Sequence, residues 1–238
     1  MSEPLLVPIG NAVECSVIRR INRFVVLARA PWGEEKVHIN NTGRLEDVLV
    51  GGRRAYCRPL ARPRRLRMRM FSVWYHGGYS VIDTGLQEEA FATAVDRGLL
   101  PWLSGCRVAR RSPRVEGRRL DYELDCPSGR ILVETKSAVL ARGGLALYPD
   151  CPTLRGREHI ALLIELSRRG LKTLLVFIAA FPGARGFMPN PEGDPAIPGL
   201  VREAMRSGVL VKSIGIEYRP DRGGVILYSP DLPVILEG

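Results

Sequence analysis

The sequence predicts an α+β protein in two parts, an OB-like β-barrel over residues 1–83 and an α/β domain over residues 84–238. Three observations carry that expectation. Short runs rich in β-branched and aromatic residues, separated by turn residues, crowd between positions 14 and 82, the pattern of a small barrel. After Asp83 the texture changes to alternating helix and strand. Within that second part, residues 119–137 read as a β-hairpin with one apolar and one charged face.

In chain order, the run from Glu14 to Ala30 is rich in Val, Ile and Phe, and Pro31-Trp32-Gly33 breaks it before a strand at Lys36–Ile39. Arg53–Arg58, Leu66–Trp74 and Tyr79–Ile82 supply further strands, with Gly51-Gly52 and Gly77-Gly78 between them. Residues Arg65 to Met70 alternate strictly, which places Arg65, Arg67 and Arg69 on one strand face and Leu66, Met68 and Met70 on the other. Such a cationic row would meet a phosphate backbone without regard to sequence; it would also blunt a sheet edge. Trp74 and Tyr75 fit the barrel core or rim better than a base-stacking role.

The second part begins with Thr84-Gly85-Leu86-Gln87, which has capping-box spacing, and a helix from Leu86 to near Gly98 that buries Leu86, Ala90, Phe91, Ala94 and Val95. After the hairpin come a helix from Leu154 to Arg169 stopped by Gly170, with Thr153 as N-cap, and an apolar strand at Thr173–Ala180. The stretch from Pro182 to Gly199 is too rich in helix and strand breakers to be regular. A helix at Leu200–Ser207 and strands at Leu210–Glu217 and Gly224–Ser229 finish the chain.

The hairpin carries the chemistry. With Cys126 to Gly129 as its loop, positions summing to 255 face each other, so Asp121 stands opposite Glu134 and Lys136 shares the face of Glu134. Leu120, Tyr122 and Leu124 then meet Ile131 and Val133 on the other face. Paired carboxylates repel unless a divalent cation sits between them, and Mg²⁺ or Mn²⁺ suits this donor set: Asp121, Glu134 and the Thr135 carbonyl. Lys136 beside them would orient or deprotonate a water, or neutralise charge building on a phosphate. The hairpin alone leaves a second reading open, a solvated sheet face with a weak Glu–Lys surface pair.

Composition agrees with an acidic partner. Net charge is +10, with 31 arginines and four lysines, and eight arginines with no acid fall between positions 53 and 69. Nucleic acid is the expected partner; a family resemblance narrows it to DNA. Neither a membrane nor a small-molecule cofactor is expected, because no apolar stretch reaches spanning length and no cofactor motif stands out. The absence of a leader pattern suggests the cytoplasm. Five cysteines without CxxC spacing argue against a zinc ribbon or a disulfide scaffold.

The strings HINNTGR (38–44), RRLDYEL (118–124), LVETKSAVL (132–140) and LYPDCPTLRGREHI (147–160) resemble, in order, the motifs of the sugar fermentation stimulation protein family. That resemblance implies an OB-like domain followed by a domain of the PD-(D/E)xK nuclease fold, with DNA binding. It places Asp121, Glu134 and Lys136 as the family's catalytic set, with Glu89 matching its helix glutamate. It also allows a regulator of sugar utilisation that keeps the nuclease fold without catalysis. Arg118, Thr135 and the residues around Gly85 depart from the usual pattern and alter the lining of a pocket more than its chemistry. Arg155 and His159, four apart on one helix face, are candidates for holding a phosphate. With Arg65, Arg67, Arg69 and Arg119, and Asn41 and Thr42 of the turn, they make up the expected nucleic-acid contacts.

Overall fold

The computed structural model describes residues 3–63 and 65–236; Arg64, within the basic stretch, lies outside them. In chain order its strands and helices are β1 (Leu5–Pro8), β2 (Val13–Asn22), β3 (Val25–Ala30), β4 (Gly33–His38), β5 (Arg54–Pro59), β6 (Met68–Tyr75), β7 (Gly78–Val81) and α1 (Thr84–Asp96). There follow β8 (Arg107–Arg111), β9 (Arg114–Val115), β10 (Arg118–Arg119), β11 (Tyr122–Cys126), β12 (Gly129–Ala138), β13 (Leu140–Arg142), β14 (Leu145–Tyr148) and α2 (Leu154–Arg168). The chain ends with β15 (Lys172–Ala179), β16 (Gly186–Pro189), α3 (Ile197–Arg206), β17 (Leu210–Arg219) and β18 (Gly224–Leu232).

The barrel has the strand order β4-β3-β2-β5-β6 and is closed by a parallel contact of β4 with β6 at His38 and Arg69. The run 14–30 divides in two because Asn22 accepts from the Phe24 amide and turns the chain. Val17, Val26, Ala28, Val37, Ile39, Met70 and Val73 fill the interior. The arginine row forms only in part. β6 starts at Met68, so Arg65 and Arg67 sit in the exposed loop before it, while Arg69 turns back to Asp83. Alternation in the sequence cannot reveal that a buried acid competes for one of the three guanidinium groups.

Asp83 joins the two parts. It is wholly buried, caps α1 by accepting from the Leu86 amide at 3.2 Å, and takes a 2.6 Å hydrogen bond from Asn40 Nδ2. Arg58 and Arg69 each approach its other oxygen at 3.4 Å. The cap therefore lies one residue before the expected Thr84, and Gln87 uses its side chain to donate to the Val81 carbonyl.

The second part is built on one long sheet that continues from β7 through β17, β15, β12 and β11 to β8. β12, β15 and β17 run parallel, and the apolar centres of β15 and β17 are buried on both faces. The hairpin register matches the expected pairing: Tyr122 faces Val133 and Leu124 faces Ile131. Helix α2 covers β15 with Ile160, Leu163 and Leu166. Two expectations fail here. Residues 186–189, inside the breaker-rich stretch, form β16, because β14 offers a free edge to pair with in parallel. Cys106 and Cys126 form a disulfide, a pairing that only the β8–β11 contact brings about.

β1 does not belong to the barrel sheet proper; it pairs antiparallel with β18, the last strand of the chain. Among the described residues no helix is long and apolar enough to cross a membrane.

Candidate metal centre

Asp121 stands just ahead of β11, its amide bonded to the Val133 carbonyl at 3.1 Å, so its side chain projects from the sheet beside Glu134. Thr135 holds it in place: the Thr135 amide and hydroxyl both donate to Asp121 Oδ2 at 2.7 Å.

Glu134 is 3% exposed, and its two oxygens have different surroundings. Oε1 is clamped by Lys136 Nζ at 2.6 Å and by His159 Nδ1 at 2.5 Å. Oε2 is buried and has no partner. A buried acceptor left unpaired costs about 1–3 kcal/mol, so the side chain is held with one oxygen ready for a ligand. Burial alone would raise the Glu134 pKa, but Lys136 and His159 outweigh it and hold the carboxyl below its ordinary range. Burial works against the Lys136 cation too, yet Glu134 keeps its pKa above the usual lysine value. In this arrangement Lys136 stays charged through its pairing with Glu134.

The third carboxylate is Glu88, not Glu89. In α1, Glu88 lies at the edge of the buried stripe near Thr84, Gln87 and Phe91, whereas Glu89, one residue further round the helix, is exposed. Burial, then the charges of Asp121 and Glu134, push Glu88 up to about 7. Burial, then the charge of Glu134, raise Asp121 too, against the two bonds from Thr135. The stripe of apolar residues in α1 held the signal for choosing Glu88; the offset of the cap obscured it.

Two raised carboxylates and one orphaned carboxylate oxygen are the electrostatic mark of a place that lacks positive charge, and an all-oxygen donor set suits a hard divalent cation. Among the described residues no group of three or more His, Cys, Asp or Glu side chains stands together so as to hold a metal ion, and Lys136 balances the charge of Glu134 only. The residues fit a cation held mainly by Asp121 and Glu134, with Glu88 next to them.

Around these groups is a cleft of about 490 Å³. Arg155, Asn41 and Thr42 line it, and so do Arg23 and Tyr148. His159 is not at its surface: it is 6% exposed and acts on Glu134 from behind. Gly156 of α2 is required by close packing, since a Cβ there would collide with the Tyr148 hydroxyl. Arg65, Arg67, Arg69 and Arg119 do not line the cleft; Arg119 is exposed on the β9–β10 ribbon, two residues before Asp121. Glu123 of the charged hairpin face is taken up by Arg130 at 2.7 Å.

A family model for the SfsA N-terminal OB domain matches residues 18–82, and one for the sugar fermentation stimulation protein RE domain matches residues 85–222. The sugar fermentation stimulation protein homologue of Pyrococcus furiosus is 43% identical over 229 residues, 96% of this chain and 98% of its own. The homologue of Archaeoglobus fulgidus is 42% identical over 231 residues, 97% and 99% of the two chains. The solved structure of Pyrococcus furiosus SfsA in complex with Ca²⁺ superposes with a TM-score of 0.93 at 41% identity, covering 98% of this chain and 99% of that one.

Proposed function

This chain belongs to the sugar fermentation stimulation protein family, an OB domain followed by a restriction-endonuclease-like domain, and on that premise we propose that it binds DNA and hydrolyses its phosphodiester bonds with Mg²⁺ or Mn²⁺. The observation that carries the proposal is Glu134, clamped through one oxygen by Lys136 and His159 while the other is buried and free beside Asp121 and Glu88. The Ca²⁺ bound by the Pyrococcus relative supports a divalent cation.

When bound, the cation supplies Lewis acidity to the scissile phosphate and lowers the pKa of a water. The chain's own residues do the rest. Thr135 fixes Asp121, His159 fixes Glu134, and Lys136 balances the charge that grows on the phosphate oxygens. The water oxygen bonds to phosphorus, the phosphorus–oxygen ester bond breaks, and the departing alkoxide takes up a proton as the water loses one. Arg155, at the cleft rim, is placed to hold the strand, and the exposed arginines of the barrel loop add attraction that carries no sequence preference.

One feature favours a second reading, a DNA-binding regulator that keeps the fold without cutting: the Lys136–Glu134 pair already balances part of the charge at the centre. Labelled single- and double-stranded DNA and RNA, incubated with Mg²⁺, Mn²⁺ or EDTA, separate the two readings. Cleavage should require metal and fall by about 100-fold or more in Asp121→Ala and Lys136→Ala. Metal-dependent binding with no cleavage of any substrate would leave the regulator.

A further inference from the structure

A second basic stretch adjoins the metal centre. Between positions 107 and 119 there are six arginines and one acid, Glu116. β8, the end strand of the long sheet, leads into the β9–β10 ribbon, and the ribbon leads back to Asp121. Its base is closed by the Ser112 amide on the Asp121 carbonyl at 2.8 Å and by the Leu120 amide on the Pro113 carbonyl at 3.1 Å. One face of the ribbon is tied to α2, where Arg118 pairs with Glu158 at 2.9 Å and Arg169 holds Glu116. Glu158 immediately precedes His159, which clamps Glu134. Ribbon, helix and carboxylates are thus joined as one piece.

The acids around the ribbon are spent on other arginines: Asp125 on Arg107 at 2.9 Å, Glu123 on Arg130 at 2.7 Å, Glu158 on Arg118 and Glu116 on Arg169. Among the described residues Arg111, Arg114 and Arg119 pair with none of them, and all three are exposed. Arg114 stands directly opposite Arg119 in the ribbon. Side chains alternate along a strand, so this pair faces away from the α2 side that Arg118 meets. Like charges directly opposite weaken an antiparallel pair, and an anion held between the two guanidinium groups would turn that repulsion into attraction. Arg111, at the foot of the ribbon, donates to the Tyr122 hydroxyl at 3.4 Å, and that hydroxyl donates to the carbonyl of Glu88 at 2.9 Å. Glu88 and Asp121 line the cleft, so the arginines lead up to it. We infer that the outer face of the ribbon, Arg114 and Arg119 with Arg111 at its foot, binds the backbone phosphates of the nucleic acid that enters the metal centre. The inference rests on the nucleic-acid reading above and adds a second grip, at the end of the sheet farthest from the barrel. Contacts of this kind fix the register of a strand and carry no sequence preference.

The test is equilibrium binding of the full chain to a labelled oligonucleotide in Ca²⁺ across a series of salt concentrations. Arg114→Ala with Arg119→Ala should weaken binding by about tenfold or more near physiological salt and flatten the slope of log K against log salt by about 1.4–1.8, the release expected of two phosphate contacts. Arg114→Lys with Arg119→Lys should keep most of that slope. Arg29→Ala with Arg222→Ala removes the same charge from exposed positions on other strands and should leave the slope unchanged. Because Arg114 and Arg119 repel each other, their alanine variant should melt no lower than wild type. An unchanged slope in that variant, or an equal loss in the Arg29 and Arg222 control, would overturn the inference while the nucleic-acid reading stands. Vesicles containing phosphatidylglycerol that bind more tightly than the oligonucleotide, and lose that binding in the ribbon variant, would overturn it in favour of a membrane surface. A wild-type chain that binds no oligonucleotide at any salt overturns the functional reading and this inference with it.

Discussion

Glu88 and Glu89 are neighbours in sequence and opposites in environment, and that contrast is measurable. The protein with Glu88→Gln should bind Mg²⁺ about tenfold or more weakly, the loss of one carboxylate charge from the centre, whereas Glu89→Gln should leave affinity unchanged; titration calorimetry reads both. Glu88 also sets a pH dependence. Its folded pKa, about 7, lies above its ordinary value of 4.5, so the folded state holds a proton that the unfolded chain releases. Stability of the metal-free protein should therefore fall as pH rises from about 4.5 to about 7, and the fall should shrink in Glu88→Gln, with Asp121, also raised, supplying part of what is left. Denaturant melts in EDTA across that range give the measurement. Glu134, whose pKa is lowered, contributes in the opposite sense and below that window. His159→Gln keeps a hydrogen-bonding group of similar reach, so it should retain more metal affinity than His159→Ala, as expected of a residue that positions Glu134 without touching substrate.

At the scale of elements, the hairpin was legible because its register follows from a short loop and a matched apolar face, and a one-residue slip would have buried charge. Leu124→Ala, which removes a fully buried side chain from that face, should cost about 2–5 kcal/mol. The start of α1 was legible only to within a residue. Its true cap, Asp83, is also the acid that Arg58 and Arg69 approach, and no local pattern encodes a bond to side chains 25 and 14 residues away. Asp83→Ala should destabilise by more than the roughly 1 kcal/mol of a lost cap, because it also strands two half-buried guanidinium groups. Asp83→Asn should retain the cap and lose the ion pairs, and Thr84→Ala should stay within about 0.5 kcal/mol; chemical denaturation ranks the three. The strand β16 was hidden for the same reason as the fate of Arg69. Each depends on a partner distant in sequence.

For the whole molecule, long-range pairings decide what composition left undetermined. The Cys106–Cys126 bond joins positions 20 apart across the outer edge of the sheet, where β8 has only β11 as a neighbour. Cys106→Ser with Cys126→Ser should cost about 3 kcal/mol, the loop-closure value for a ring of this size, seen as a lower midpoint in guanidinium without a change in the hairpin's pairing. The two parts share a seam at Asp83 and the Tyr79–Tyr218 strand contact, so the barrel and the carboxylate centre keep a fixed geometry. The pairing of β1 with β18 has a different consequence. Topologically the barrel is a guest threaded through its host, since the α/β sheet owns both the first strand and the last. During synthesis that sheet stays open until β18 has left the ribosome, while the barrel's own strands are already complete. A circular permutant that fuses β18 to β1 and opens the chain elsewhere would close the host early, and it should fold faster than the native order.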